Sequence, residues 1–219
     1  MQDLIKQEQF ELEVLDKFKS RRFLDSLVLG GGTMLRLCFG LDRFSIDLDF
    51  WIIKNLDVNK LFKDLKEYLS GNYTIKDCAN KFYTLLFEIK SKGYPRSLKI
   101  EIRKETKKIK TELAIAYSKY SNRQVLLRAV SLEDMMREKI NAFLSRQEIR
   151  DVFDIEFLLK KGIPLESSSE ILQKLLKKIN SLDKRDYTVK LGSILEEDKR
   201  KYYISENFKI VKLAIEEKI

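Results

Sequence analysis

The pattern of apolar and polar positions differs between the two halves of the chain. In the first half, short apolar or alternating runs predict five strands: 27–29, 46–53, 73–77, 82–90 and 97–103. Apolar side chains spaced three and four residues apart predict three helices there: 3–20, 33–39 and 58–69. This half is therefore expected to form a mixed sheet flanked by helices.

Beyond about residue 105 the helical spacing dominates. The pattern predicts a helix over 107–120, a short strand at 125–127, a helix capped by Ser131, another helix over 149–161, and two or three more over 167–217. The fold class is α+β, with two expected domains. Residues 1–105 form the core that carries the sheet, and residues 106–219 form a mostly helical domain.

Composition removes several classes of chemistry. The 219 residues contain no histidine and two cysteines, which excludes Ser-His or Cys-His catalysis and the usual zinc sites. Lys and Arg number 43 against 34 Asp and Glu, a net charge of +9 that favours a polyanionic partner. Catalysis has to depend on carboxylates, cations, hydroxyls, backbone amides or a metal with oxygen ligands.

The chain carries no targeting pattern. The N-terminus lacks the basic-then-apolar order of a signal peptide, and no apolar run approaches the roughly 20 residues that span a bilayer. The two isolated thiols, Cys38 and Cys78, suit a reducing compartment. We expect a cytoplasmic protein with no membrane partner.

One segment carries most of the candidate chemistry. Asp47 and Asp49 lie two apart on a predicted strand, so both carboxylates project from one face and could hold Mg²⁺ or Mn²⁺. Gly31 and Gly32 lie between a strand and a helix, where backbone amides and the helix dipole can receive a polyphosphate. Thr33 adds a hydroxyl at the same place.

Two further side chains precede the Asp pair. Arg43 and Ser45 could also contact phosphate. Each feature alone is common, since an Asp-x-Asp pair usually lies on a solvated face and a glycine run usually forms a turn. Their order along the chain, strand, glycines, helix and Asp-x-Asp strand, makes the combination specific.

This combination resembles the polymerase-β-like nucleotidyltransferase superfamily. Gly31-Gly32-Thr33-Met34-Leu35 and Arg43-Phe44-Ser45-Ile46-Asp47-Leu48-Asp49-Phe50 are similar to motifs of the AbiEii/AbiGii toxin family, which reads Gly-Gly-Thr-Ala-Leu and Arg-Phe-Ser-x-Asp-Leu-Asp-Phe. Met34 departs from the common Ala. The resemblance covers about residues 27–159 and includes Glu138-Lys139 and Arg150-Asp151-Val152-Phe153-Asp154-Ile155.

The resemblance implies a set of site residues. The superfamily takes a third carboxylate from a later strand, for which Glu101 is the favoured candidate and Glu88 the alternative. Lys139 would neutralise charge on the nucleotide, and Asp151 or Asp154 would orient Lys139 or Arg150 or bind the nucleotide. Arg150 could instead be a structural partner of Asp154. The alternative is that Lys139 is an exposed helix lysine and that Asp151 and Asp154 form surface ion pairs.

The resemblance also implies an activity. It is metal-dependent transfer of NMP from an NTP to an acceptor hydroxyl, with the 3′ end of tRNA as the expected acceptor. The protein would be the toxin of a toxin–antitoxin or abortive-infection system, with a cognate antitoxin as a possible partner. Residues 1–105 would be the nucleotidyltransferase core, and residues 106–219 would complete the active-site cleft.

Two other functions stay open. The acceptor could be a hydroxyl of a protein or a small molecule, or the fold could serve as a non-catalytic module that binds RNA or an antitoxin. The densest basic stretch either follows an RNA backbone or is a solvated surface, and it comprises Tyr94, Arg96, Lys99, Arg103, Lys104, Lys107, Lys108 and Lys110.

Overall fold

A computed structural model describes residues 1–105 and 108–219. Within these ranges there are seven strands: β1 Leu27–Gly30, β2 Asp47–Ile52, β3 Thr74–Asn80, β4 Thr84–Lys90, β5 Leu98–Arg103, β6 Thr111–Tyr117 and β7 Gln124–Val130. Eight α-helices accompany them: α1 Gln2–Ser20, α2 Gly31–Phe39, α3 Val58–Asn72, α4 Leu132–Arg146, α5 Ile149–Lys160, α6 Ser169–Asn180, α7 Glu197–Glu206 and α8 Lys209–Glu216.

The contacts among these residues divide the chain into two compact units. The first unit comprises Met1–Gly40 with Phe44–Val130, and the second comprises Leu41–Arg43 with Ser131–Ile219. Strands β6 and β7 lie beyond residue 105, and by their contacts they belong to the first unit. A role for residues 106–219 in completing a cleft stays a prediction.

The first unit is built on one mixed sheet. Its strand order is β3-β4-β5-β2-β1-β7-β6, in which β2 is parallel to β5 and β1 is parallel to β7, while the other neighbours are antiparallel. The central strands carry many buried apolar side chains. They are continuous along β1 and alternate with polar residues along β5 and the first half of β2, which suits the middle of the sheet.

The two faces of the sheet have different characters. Along β5, Leu98, Ile100 and Ile102 are buried, whereas Lys99 and Arg103 are exposed. Helix α1 packs on β5 and β7, and its apolar stripe is buried: Phe10, Val14, Leu15 and Phe18. Since directly paired residues point to the same face, the charged face of β5 is shared with Asp47 and Asp49 of β2.

The second unit is helical, as expected. Ser131 caps α4 because its side chain accepts a hydrogen bond from the Asp134 amide (3.3 Å). Helices α4 and α5 pack against each other, and α8 packs on α5 and α6. A π-helical turn at Asp186–Leu191 and a short 3-10 turn lead into α7. The predicted α+β class is confirmed.

One predicted element is wrong. The segment 107–120 was expected to be helical, but Thr111–Tyr117 is strand β6, fully paired with β7; Lys107 lies outside the described residues. Its Glu, Leu and Ala residues favour a helix, yet the free edge of β7 supplies a hydrogen-bond ladder that local preference does not reveal. Within the described ranges, no helix is long and apolar enough to cross a membrane.

Candidate functional site

A row of charged side chains crosses the charged face of the sheet in the first unit. Asp49 of β2 is directly paired with Gly30 of β1 on one side and with Glu101 of β5 on the other. Asp47 is paired with Lys99. The register therefore brings the Asp pair and Glu101 together on one face of the sheet.

The same register separates the two candidates for a third carboxylate. Glu101 is on the strand next to β2, whereas Glu88 is on β4, one strand further away, opposite Lys99. Glu88 also accepts a hydrogen bond from the Ser97 hydroxyl. Glu101 is thus the carboxylate nearer to Asp49 in the sheet.

Two missing β-carbons shape the centre of this row. A Cβ on Gly31 would lie 2.3 Å from Oδ2 of Asp49, and Gly31 has φ = +72°, a conformation that L side chains rarely adopt. A Cβ on Gly30 would lie 1.6 Å from the indole ring of Trp51. Gly31 thus lets the Asp49 carboxylate lie against the start of α2, and Gly30 leaves room for the Trp51 ring.

Helix α2 begins at Gly31 and points its first turn toward the carboxylates. The first amides of an α-helix have no partner within the helix, and together with the dipole they attract anions. The Thr33 hydroxyl donates a hydrogen bond to the carbonyl oxygen of Asp47 (2.6 Å), which fastens α2 to β2. A hydrogen bond from Thr33 to phosphate would need this bond to break, so the backbone amides are the better donors. Gly32 is buried within this turn, and Ser45 is half-buried just before β2.

Lys99 was predicted only as part of a basic stretch, and the structure places it beside the carboxylates. Lys99 forms an ion pair with Glu101, and the hydrogen bond to Glu101 raises the pKa of Lys99 above its usual value. Partial burial lowers this pKa, whereas the charges of Asp47 and Asp49 raise it further. The alternation of Lys99 and Glu101 on one strand face was a signal that could have identified it.

Polar side chains of α1 also support the site and were missed. The Gln7 side-chain amide donates to the carbonyl oxygens of Ile46 (3.1 Å) and Ser97 (3.3 Å), the residues just before β2 and β5. One buried side chain therefore holds together the starts of the two strands that carry the carboxylates. The signal was present in the sequence, since Gln7 falls on the buried face of α1 with Phe10 and Val14.

Two glutamates lie near Gln7 on the same helix. Glu8 accepts from Arg36 and from the Ser118 hydroxyl. Glu11 is fully buried, and its Oε1 has no hydrogen-bond partner in the described structure. Burial, followed by the charges of Glu8 and Asp47, raises the pKa of Glu11 well above its ordinary value, and Arg36 opposes this. Glu11 is therefore held in its neutral form more readily than an exposed glutamate.

The donor chemistry fits a divalent metal, although the side chains do not converge on one. No group of three His, Cys, Asp or Glu residues in 1–105 and 108–219 is arranged to hold an ion. The two aspartates nevertheless offer oxygen ligands on one face, and the Gly31 backbone leaves the space beside Asp49 that a Cβ would fill. Asp47 and Asp49 thus suit Mg²⁺ or Mn²⁺, whereas Glu101 would first have to leave Lys99.

A second charged cluster lies inside the second unit. Lys139 is only 5% exposed, and its Nζ lies 2.6 Å from Asp154 and 3.3 Å from Asp151. Arg43 binds Asp154 through Nε and Nη2, both at 2.7 Å, and Arg146 binds Asp151 through two bonds of 2.8 Å. Two buried carboxylates are thus surrounded by three cations.

The contacts in this cluster show the charge state and the partners of the predicted residues. Burial tends to raise the pKa of Asp154, but the Arg43 and Lys139 charges outweigh it and lower that pKa, so Asp154 is ionised. Lys139 is buried rather than an exposed helix lysine. Asp154 is partnered by Arg43 and Lys139, not by Arg150, whose Nε is buried without a hydrogen bond among the described residues.

Arg43 therefore faces the carboxylate of Asp154. The paired bonds to Asp154 fasten the segment Leu41–Arg43 to the helices of the second unit. A phosphate contact by Arg43 stays a prediction that has to compete with these bonds. The structure groups the predicted residues as Gly31, Gly32, Thr33, Ser45, Asp47, Asp49 and Glu101 in the first unit, and Arg43, Lys139, Asp151 and Asp154 in the second.

A family model described as nucleotidyl transferase AbiEii toxin, of a type IV toxin–antitoxin system, matches residues 13–209. The chain belongs to the AbiEii nucleotidyltransferase toxin family. The resemblance read from the glycine and aspartate motifs is confirmed, and membership implies nucleotidyl transfer in a type IV toxin–antitoxin system. A search of curated proteins found no match.

Two solved structures share the fold of this AbiEii family member. One is a Helicobacter pylori protein described as a nucleotidyltransferase, which is 20% identical and aligns over 96% of this chain and 97% of its own with a TM-score of 0.57. The other is JHP933 from Helicobacter pylori, also 20% identical, aligned over 96% and 94% with a TM-score of 0.54. At this identity, the likeness supports the nucleotidyltransferase fold.

Proposed function

We propose that this AbiEii family protein transfers a nucleoside monophosphate from an NTP to the 3′-hydroxyl of an RNA, with tRNA as the acceptor. The observation that carries the proposal is the position of Asp49, which lies against the Gly31 backbone at the start of α2 and beside Glu101 in the sheet. A carboxylate, a helix N-terminus and a second carboxylate are the groups that phosphoryl transfer requires in one place.

Asp47 and Asp49 would hold the divalent metal, Mg²⁺ or Mn²⁺. When bound there, the ion supplies positive charge that offsets the charge of the triphosphate and of the transition state. The chain itself places both carboxylates on one face of β2, and the absence of a side chain at Gly31 leaves space beside Asp49.

Residues of the chain bind the phosphates and accept the proton of the acceptor hydroxyl. The amides at the start of α2, with Gly31, Gly32, Thr33 and Ser45 around them, bind the β- and γ-phosphates. The acceptor hydroxyl gives its proton to Glu101 while the hydroxyl oxygen forms a bond to the α-phosphorus of the NTP. The bond from that phosphorus to the bridging oxygen breaks, and pyrophosphate leaves. Lys99 keeps Glu101 in place before the reaction.

For the second cluster we propose the roles that the resemblance to the family motifs implied. Lys139 would offset charge on the nucleotide, while Asp151 and Asp154 position its ammonium group. The type IV toxin–antitoxin family also suggests a cognate antitoxin as a partner. The net charge of +9 agrees with an RNA acceptor but does not select one.

Substitution of Asp49→Asn tests the assignment. The change keeps the shape of the side chain and removes the charge, so we expect incorporation of α-labelled NTP into total RNA to fall by at least about a hundredfold with Tm nearly unchanged. Asp77→Asn is the matched control, because Asp77 is an exposed aspartate on the edge strand β3. Undiminished labelling by the Asp49 variant contradicts the assignment, and label in protein rather than RNA contradicts the RNA acceptor.

A further inference from the structure

Two aromatic rings stand in solvent at the turn between β3 and β4. Phe82 is 84% exposed and Tyr83 is 75% exposed, the highest values for any large apolar side chain in the described ranges. Their rings pack edge to face with centroids 4.5 Å apart. Exposed aromatic clusters of this kind usually mark an interaction site, because folding gains nothing from them.

The turn is an ordered part of the sheet. The Lys81 amide donates to the Thr84 carbonyl oxygen (2.9 Å) and closes the turn. The Lys104 amide donates to the Tyr83 carbonyl oxygen (3.0 Å), and the Lys104 ammonium group donates to the Lys81 carbonyl oxygen. The rings are thus held beside the end of β5.

The surroundings of the rings are cationic. Lys81 and Lys104 flank them, and Arg103 is paired with Thr84 at the first position of β4. The Arg103 guanidinium carbon lies 5.0 Å from the centre of the Trp51 ring. An aromatic pair within a group of cations favours a partner that combines flat rings with negative charge, which describes a nucleic acid strand.

The turn that carries the rings is close to the carboxylates along β5. Glu101 and Arg103 lie two apart on β5, on the face shared with Asp49. Lys104, whose amide bonds the Tyr83 carbonyl oxygen, lies one residue further, so the backbone of the turn is about 10 Å along the strand direction from Glu101. A short single-stranded stretch whose last hydroxyl is at Glu101 would therefore reach the rings.

A basic groove lies beyond the end of β2 in the same unit. Its volume is about 730 Å³, and the described lining residues include four cations and no carboxylate: Lys54, Lys108, Lys110 and Arg128. Lys54 follows β2, three residues after Trp51. Groove and rings together provide charge for the backbone and stacking faces for the bases.

We propose that Phe82 and Tyr83 form a stacking site for unpaired bases near the 3′ end of the acceptor RNA. The site rests on the proposed RNA acceptor and extends it, since it requires that the end of the RNA be single-stranded. Specificity for a single strand follows because the bases of a duplex already stack on each other and their faces are not available.

Direct binding tests the site without depending on catalysis. The probe is a 5′-fluorescein oligoribonucleotide of mixed sequence with a free 3′-hydroxyl, single-stranded or annealed to its complement, measured by anisotropy over a range of salt. We expect the double variant Phe82→Ala/Tyr83→Ala to bind the single strand at least about tenfold more weakly. The slope of log Kd against log salt should be unchanged, because no charge is removed.

Two further variants make the result specific. Tyr117→Ala removes an exposed ring from the opposite edge strand β6 and should leave Kd unchanged. Phe82→Trp keeps a stacking face and should keep the affinity. Unchanged affinity of the double variant, equal binding of duplex and single strand, or no binding of the probe by the unmodified protein overturns the stacking site.

The result also separates this site from the proposed activity. If the rings are required for RNA binding but label from NTP enters only protein, the acceptor assignment fails while the binding site stands. If RNA is labelled with the same KM for RNA by the double variant, the stacking site fails while the activity stands. Loss of antitoxin binding with RNA affinity intact would assign the rings to a protein partner and overturn the proposal.

Discussion

Replacement of Gly31 by Ala tests the geometry of the site at one atom. The new Cβ would lie 2.3 Å from Oδ2 of Asp49, whereas ordinary contacts begin near 3.4 Å. Since the backbone of α2 and β2 is held by the bond from Thr33 to Asp47 (2.6 Å), the Asp49 carboxylate has to move by about 1 Å. A shift of this size in a catalytic group reduces the rate on the order of a hundredfold.

The change also affects stability, and this effect can be separated. An Ala at φ = +72° costs about 1–2 kcal/mol, which for a chain of this size lowers Tm by roughly 3–8 °C. Gly40→Ala imposes the same backbone penalty at φ = +79°, but its Cβ would meet nothing within 4 Å. It is therefore the matched control for the loss of activity.

The assay compares both variants with the unmodified protein well below their Tm. We expect Gly31→Ala to lose about a hundredfold in kcat for NMP transfer, and Gly40→Ala to keep its kcat while Tm falls by a similar amount. Full activity of Gly31→Ala would refute the close approach of Asp49 to α2. An equal loss in both variants would refute the separation of geometry from stability.

Two further predictions concern buried charges. Asp154→Asn removes the charge that Arg43 and Lys139 both face at this position and leaves Lys139 with Asp151 as its remaining carboxylate, so the free energy of unfolding should fall by about 3–5 kcal/mol and Tm by roughly 10 °C. Glu170→Gln, which removes an exposed ion pair, should change Tm by little, and equal effects of the two changes would contradict the network. Glu11→Gln should stabilise increasingly as pH rises. The folded pKa of Glu11 is raised, so ionisation in the folded state is unfavourable above the ordinary value near 4.5; a Tm difference that is the same at pH 5 and pH 8.5 would contradict this.

The first unit could be predicted in most of its parts because its signals are local. Asp47 and Asp49 alternate within one strand, and Gly31 directly follows β1, so spacing alone placed them at one site. The resemblance implied a third carboxylate, and Glu101 was favoured over Glu88, but the place of Glu101 opposite Asp49 follows from the sheet register, which the sequence does not contain. Strand β6 was missed because its partner β7, and not its own residues, determines its conformation.

The second cluster shows where local reasoning stops. Arg43 and Asp154 are 111 residues apart, and nothing in the pattern around either residue indicates that they pair. Spacing along α5 predicted that Asp151 and Asp154 share a helix face, but it did not predict that both bind Lys139. The buried polar residues of α1 were overlooked for a different reason, since a helix with Phe10 and Val14 on its inner face is expected to bury only apolar neighbours.

The central claim is that NMP is transferred by attack at the α-phosphorus of the NTP. Labels at two positions of the same nucleotide test this claim most directly. The protein is incubated with NTP labelled at the α- or the γ-phosphate, a divalent metal and RNA, and the RNA and released phosphates are analysed separately. We predict that the α label enters the RNA 3′ end while the γ label leaves as pyrophosphate in equal amount. Entry of the γ label into the acceptor, or release of pyrophosphate without a labelled acceptor, would contradict nucleotidyl transfer at this site.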